Sequence, residues 1–270
     1  MGNEKWVLVP ADFGRLKKLL FSWQEGMAAH RAWNAVFWCN HDQPRIVSRM
    51  GDEGDYWKES AKMLAGMIHL MRGTPYIYQG EEIGMLNAHY SSIGQYRDVE
   101  SLNYYQILLG KGRTEEEALQ ILAARSRDNG RTPMQWNGGT YGGFSEAEPW
   151  LSLSGAFREE ITAEFQKEDP DSILSFYKML ISLRKKRPVI AEGTISFLET
   201  GNDMTLAYER ALGEDKIAVF CNLGKEEQTV PIGKEWTGGK LLLENYRERR
   251  NAPEAETFVM KPYEIMAIEK

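Results

Sequence analysis

The segment Ala35-Val36-Phe37-Trp38-Cys39 runs without a break into Asn40-His41-Asp42-Gln43-Pro44-Arg45. A short, continuous apolar run of aromatic and β-branched residues is the pattern of a strand buried on both faces, as in a parallel sheet. His41 and Asp42 then stand at the carboxyl end of that strand. In barrels and open α/β sheets this is the end that carries chemistry, so an imidazole beside a carboxylate is placed to hold a small polar ligand. The plainer reading is a loop histidine followed by an aspartate that caps the next helix, and the neighbouring motifs weigh against it.

Ahead of this run, Phe13, Leu16, Leu19, Leu20 and Trp23 recur at helical spacing behind Asp12, which predicts an amphipathic capped helix leading to the strand. On the other side Met63, Leu64, Met67, Ile68 and Met71 predict a second helix closed by Gly73 and Pro75, with its methionines as core packing. Tyr76-Ile77-Tyr78 reads as the next strand, ending at Gln79-Gly80-Glu81-Glu82. Helix, strand, helix, strand is the order of parallel β/α units. Residues 86–112 read as a long polar loop, Thr114 and Glu117 as a capping box that opens a helix, and residues 128–155 as irregular. A further helix starts near Asp171 and stops at Pro188. From Gly193 the pattern changes to short strands at 194–198, 205–208, 217–221, 228–232, 241–243 and 265–268, separated by turn signals, which predicts a small antiparallel sheet. The expected domains are therefore 1–190 and 191–270.

The 270 residues suffice for one large domain or for one plus a smaller one. A formal charge of -6 without a long basic run argues against a nucleic-acid partner. Cys39 and Cys221 lie in apolar runs without metal-ligand spacing and read as buried thiols, in keeping with a reducing cytoplasm. No stretch has the length and apolarity of a membrane span or a signal peptide, so neither a membrane nor a secretory route is expected. No cofactor and no metal site is expected either.

Three motifs carry a resemblance. They are Phe37-Trp38-Cys39-Asn40-His41-Asp42-Gln43-Pro44-Arg45, then Gly73-Thr74-Pro75-Tyr76-Ile77-Tyr78-Gln79-Gly80-Glu81-Glu82-Ile83-Gly84-Met85, and then Ser126-Arg127-Asp128-Asn129-Gly130-Arg131-Thr132-Pro133-Met134-Gln135-Trp136. In this order they resemble the α-amylase superfamily, glycoside hydrolase family 13, over essentially the whole chain. More narrowly they resemble the branch of oligo-1,6-glucosidases, dextran glucosidases and trehalose-6-phosphate hydrolases, with 37–49 and 96–103 most similar to the last. The resemblance implies an α/β plus all-β architecture: the C-terminal part of a (β/α)8 barrel, holding strands 7 and 8 with their helices, and then a small antiparallel β-sandwich domain.

The resemblance also implies roles. Retaining glycosidases use a carboxylate nucleophile and a carboxylic acid about 5 to 5.5 Å apart, and the family adds a third carboxylate. Asp42 is that third acid by resemblance, with His41 donating to the same sugar. Arg127 is implied as a contact to the nonreducing glucose, and Glu100 as a contact to the sugar on the leaving-group side, with loop bracing as its alternative. Arg131 either serves or braces the role of Arg127, or pairs with Asp128. Glu81 and Glu82 either line the rim or brace a loop, and Arg45 and Arg49 either attract a phosphate or pair with Asp52 or Glu53. The nucleophile and general acid of the family precede the His-Asp motif, yet residues 1–39 offer only Glu4, Asp12 and Glu25, none in such a motif. The expectation is therefore a portion of a retaining α-glucosidase acting on trehalose 6-phosphate or an isomalto-oligosaccharide, inactive by itself. It would pair with the N-terminal barrel half or self-associate. A noncatalytic carbohydrate-binding or assembly module is the other class.

Overall fold

The computed structural model describes residues 5–248 and 251–270. In chain order the elements are α1 (Phe13–Ala29), β1 (Ala35–Val36), α2 (Ile46–Met50), α3 (Trp57–His69), β2 (Thr74–Pro75), α4 (Val99–Gly110), α5 (Glu115–Arg125), α6 (Ala163–Glu168), α7 (Ile173–Lys186) and α8 (Pro188–Glu192). They continue with β3 (Thr194–Leu198), β4 (Thr205–Leu212), β5 (Asp215–Asn222), β6 (Gln228–Pro231), β7 (Lys240–Glu244), β8 (Thr257–Met260) and β9 (Ile265–Glu269). These group into two compact units, one of residues 5–11, 38–53 and 77–175 and the other of 12–37, 54–76 and 176–270.

In the second unit, Asp12 caps α1 by accepting the Arg15 N–H at 2.8 Å, as its sequence requires. The apolar stripe of α1 is only partly used: Phe21 stacks on Phe197 of β3, while Leu19 and Trp23 stay exposed. β1 and β2 pair in parallel, Ala35 with Thr74 and Val36 with Pro75. Both are shorter than their sequences suggest. The expected strand 35–39 ends at Val36 and is not buried on both faces, since Ala35 and Phe37 are exposed. The strand expected at 76–78 lies instead at Thr74–Pro75, with only the Tyr76 N–H extending the ladder, to the Val36 carbonyl at 2.9 Å. The reason is the lack of further neighbours: β1 and β2 form a sheet of two strands among the described residues.

The strands from residue 194 form a five-stranded antiparallel sheet in the order β3-β4-β5-β9-β7, with β6 and β8 paired as a separate ribbon. One face of the sheet supplies Ala207, Ala218, Phe220, Met266 and Ile268 to a core shared with Val230, Phe258, Met260 and Trp236. Through its other face Tyr208 donates to the Met67 carbonyl of α3 at 2.7 Å. Burial on both faces explains why β5 and β9 read as unbroken apolar runs although the sheet is antiparallel. Gly66 permits the helix to sit this close, because a Cβ there would stand 2.6 Å from Ile265 Cδ1. The sequence reading lacks β8, the four-residue partner of β6.

In the first unit, Tyr105 and Leu108 of α4 and Ala118, Ile121 and Leu122 of α5 share a core with Trp6, Tyr90, Tyr96 and Leu151. The expected capping box is present: Thr114 Oγ1 accepts the Glu117 N–H at 3.2 Å and Glu117 Oε2 accepts the Thr114 N–H at 2.9 Å. The expected loop over 86–112 needs correction, because Val99–Gly110 is helical. Asp98 caps it, and the buried residues Ser101, Tyr105 and Leu108 fall at helical spacing. The polar content of the flanking residues hid that short stripe.

Candidate active-site wall

The site is assembled in the first unit from three pieces of chain: the turn 40–43, the segment before and inside the first turn of α4, and the 3-10 turn 127–130. Asn40 shapes the first, its Oδ1 accepting the Asp42 N–H at 2.8 Å and its carbonyl accepting the Gln43 N–H at 3.2 Å. Gly130 lets the third piece lie directly on that turn, since a Cβ there would stand 2.8 Å from the Gln43 carbonyl oxygen and 3.0 Å from that of Asn40. Tyr78 fixes the same glycine by donating to its carbonyl at 2.9 Å.

This brings together side chains that are distant in sequence. Arg131 donates from Nη2 to Asp42 Oδ1 at 2.9 Å and from Nε to the His41 carbonyl at 2.8 Å. Of the two readings its sequence left open, the ion pair with Asp128 is not the one formed: Asp128, fully buried, accepts the N–H groups of Arg97 and Asp98 on one oxygen. His41 Nε2 lies 3.3 Å from Asp42 Oδ2. Arg127 comes within 3.6 Å of Asp42 through Nη1 and within 3.4 Å of Glu100 through Nε. Its main partner is Asp98, which it grips with two bonds, Nη2 to Oδ1 at 2.6 Å and Nε to Oδ2 at 3.2 Å. Glu100 in turn receives Lys5 Nζ at 2.6 Å. Thus Asp42, His41, Arg127, Arg131 and Glu100 form one cluster.

Burial differs sharply within it. The side chain of Asp42 is 46% exposed and that of His41 72%, whereas that of Asp98 is 2% exposed. Burial by itself would raise the Asp98 carboxyl, but hydrogen bonds from Arg127 and Ser101, with the Arg127 charge, outweigh it and hold the group below the usual carboxylate range. The same contact raises the Arg127 guanidinium above its ordinary value. Two guanidiniums and a half-open carboxylate with an imidazole beside it can bind several hydroxyls of a sugar ring.

Other candidates stay outside the cluster. Arg45 is buried and donates to the carbonyls of Asn129 at 3.1 Å and Gln79 at 2.5 Å, while Arg49 donates to that of Trp38 at 3.3 Å, so both brace backbone. Glu81 is buried, and burial raises the Glu82 carboxyl. Of the early acids, Asp12 caps α1 and Glu25 lies in that helix, while Glu4 lies outside the described residues. No group of three or more metal-ligating side chains is present among the described residues. The sequence reading gives Asp98 no role and Asp128 only that of a partner for Arg131; the one available signal for Asp98 is the Asp98-x-Glu100 spacing at a helix start.

The model of the α-amylase catalytic domain matches residues 1–193. Over 265 residues the chain is 45% identical to the trehalose-6-phosphate hydrolase of Escherichia coli (strain K12), covering 98% of this chain and 47% of that protein. It is 42% identical to a probable oligo-1,6-glucosidase of Bacillus subtilis (strain 168), covering 97% and 46%. The crystal structure of Bacillus licheniformis trehalose-6-phosphate hydrolase superposes with a TM-score of 0.93 at 45% identity, over 98% of this chain and 48% of that one. The chain spans about half the length of the curated relatives it matches. By the extent of the family match and the agreement in fold, the chain belongs to the α-amylase catalytic-domain family, glycoside hydrolase family 13.

Proposed function

We propose that the chain is the C-terminal portion of a retaining α-glucosidase that hydrolyses trehalose 6-phosphate to glucose and glucose 6-phosphate. On this reading residues 1–190 are the C-terminal part of a (β/α)8 barrel, with β1 and β2 as its seventh and eighth strands, and residues 191–270 are a small antiparallel β-sandwich domain. The observation that carries the proposal is the Asp42 carboxylate held by Arg131 and approached by Arg127.

Arg131 occupies Oδ1 of Asp42 and leaves Oδ2, with His41 at its side, to accept from hydroxyls of the glucose being cleaved. Such contacts accelerate the reaction when they tighten as the ring flattens toward an oxocarbenium-like transition state. Arg127 holds the same glucose and Glu100 the sugar on the leaving-group side. The nucleophile that forms the glycosyl ester and the acid that protonates the leaving oxygen come from the other barrel half, so this chain is inactive alone. The partner is that half or a second copy, and the exposed Phe37 and Tyr76 at the ends of the short β1–β2 pair support it. A cytoplasmic location belongs to the same proposal; among the described residues no helix is long and apolar enough to cross a membrane.

An α-1,6-glucoside is the second substrate reading, favoured by oligo-1,6-glucosidases 40–42% identical to the chain. The test joins this chain to the N-terminal half of a relative and compares trehalose 6-phosphate with isomaltose. A kcat/KM higher for trehalose 6-phosphate is expected, and the reverse order would replace the first reading by the second.

A further inference from the structure

The best-bonded carboxylate of the cluster is one for which the family motifs gave no role. Asp98 is almost wholly buried, and its two oxygens take the Nε and Nη2 edge of Arg127 together with the Ser101 hydroxyl at 3.0 Å. Arg131 Nη1 stands 4.0 Å from the same carboxylate. Asp98 is itself fixed from behind, its backbone N–H donating at 2.9 Å to the fully buried Asp128. A rigid anion therefore lies next to both guanidiniums, on elements independent of the Asp42 turn.

We propose that Asp98 is a positioning residue that holds Arg127 by its Nε/Nη2 edge and so keeps it from collapsing onto Asp42. A guanidinium offers five donors in a fixed fork, and a bidentate carboxylate selects which edge is used. With Nε and Nη2 engaged by Asp98, Nη1 is left 3.6 Å from Asp42, too far for a hydrogen bond and close enough for both groups to share one hydroxyl. Without Asp98, Arg127 would pair with the nearest half-exposed acids, Asp42 or Glu100, and withdraw them from the sugar. The consequence for sugar rests on the reading of Asp42 and Arg127 as sugar contacts; the grip on Arg127 does not.

Asp98 also caps α4, accepting the Glu100 N–H at 3.3 Å. The variant Asp98→Asn separates the two roles. Asparagine caps as well as aspartate, but its amide NH2 meets the guanidinium donor to donor. The experiment measures, on the whole chain, hydrogen exchange of the Arg127 Nε–H by NMR, exchange of the α4 amides, and glucose affinity by titration at millimolar sugar. For D98N we expect unchanged α4 amides, Arg127 Nε–H exchange faster by at least about tenfold and glucose affinity lower by about tenfold. Unchanged Arg127 exchange overturns the proposal, as does loss of α4 protection, which would make Asp98 a cap alone. A released Arg127 with unchanged glucose affinity overturns it too. If the wild-type chain binds no glucose, the sugar-contact reading falls, and the Arg127 exchange still decides for or against the grip of Asp98.

Discussion

Arginine is used in opposite ways in the two compact units. In the second, Arg210 is fully buried and gives its donors to backbone, to the carbonyls of Thr194 at 2.9 Å, Leu70 at 2.7 Å, Ile190 at 2.6 Å and Gly193 at 2.7 Å. Burial pushes its guanidinium down to about 10. In the first unit Arg127 and Arg131 are partly open; Arg127 gives its donors to carboxylates, and Arg131 divides its own between the Asp42 carboxylate and the His41 carbonyl. A guanidinium that collects carbonyls at chain turns and helix ends completes the fold. A guanidinium that is itself left partly open among acids retains an exposed edge for a ligand. The same contrast separates Arg45, which serves carbonyls, from Arg127, which serves carboxylates, within one unit.

The comparison predicts unequal damage. The largest loss should come from Arg210→Met, which strands three buried carbonyls and a part-buried one, and urea unfolding should register at least about 4 kcal/mol. An effect below about 1 kcal/mol would erase the contrast. Next is the buried His69, whose Nδ1 meets the Ala65 carbonyl at 2.8 Å and whose ring lies edge-on to Tyr177. Burial, opposed by the Ala65 hydrogen bond, holds it down to about 4 against 6.5 for a free histidine. Its neutral form is the folded form, so its contribution is intact above about pH 6.5. As pH falls toward 4 the unfolded chain takes up a proton that the folded chain does not, and about 3 kcal/mol should be lost. In His69→Phe the part of the slope between pH 6.5 and 4 that is due to this group should vanish; an unaltered slope would refute the assignment. Thr114→Ala removes the α5 cap and should cost about 1 kcal/mol by the same unfolding assay. Smallest in stability is Arg131→Met, expected below about 1 kcal/mol, yet it should weaken glucose binding where Thr114→Ala leaves it unchanged.

Much of the fold was legible because it is local. The stripe from Phe13 to Trp23, the Thr114–Glu117 box and the break at Pro188 all act within a few residues, and each element formed where its pattern lay, Pro188 opening α8 at its first turn. The errors arose where distant partners decide. The run at 35–39 has strand chemistry, but only two residues pair, because a ladder needs a neighbour as well as a propensity. α4 was overlooked because its buried stripe is short. In the site, His41 and Asp42 were visible from their position after a strand, and Arg127 and Glu100 from family motifs. That Arg131 would reach across 89 residues to Asp42, and that Asp98 would lie beneath Arg127, depends on the turn at Gly130, a tertiary contact with no local signature.

The proposed function makes Asp42 and its arginines one wall of a glucosidase site whose cleaving acids lie elsewhere. Its most direct test is trehalose 6-phosphate hydrolysis by the purified chain, by the chain joined to the N-terminal half of a related trehalose-6-phosphate hydrolase, and by the same hybrid carrying Asp42→Asn. No turnover by the chain, equal release of glucose and glucose 6-phosphate by the hybrid, and a rate at least about 100-fold lower in the variant are predicted, in line with loss of a transition-state electrostatic contact. Sustained hydrolysis by the chain alone, or an Asp42→Asn hybrid as fast as its parent, would contradict the account.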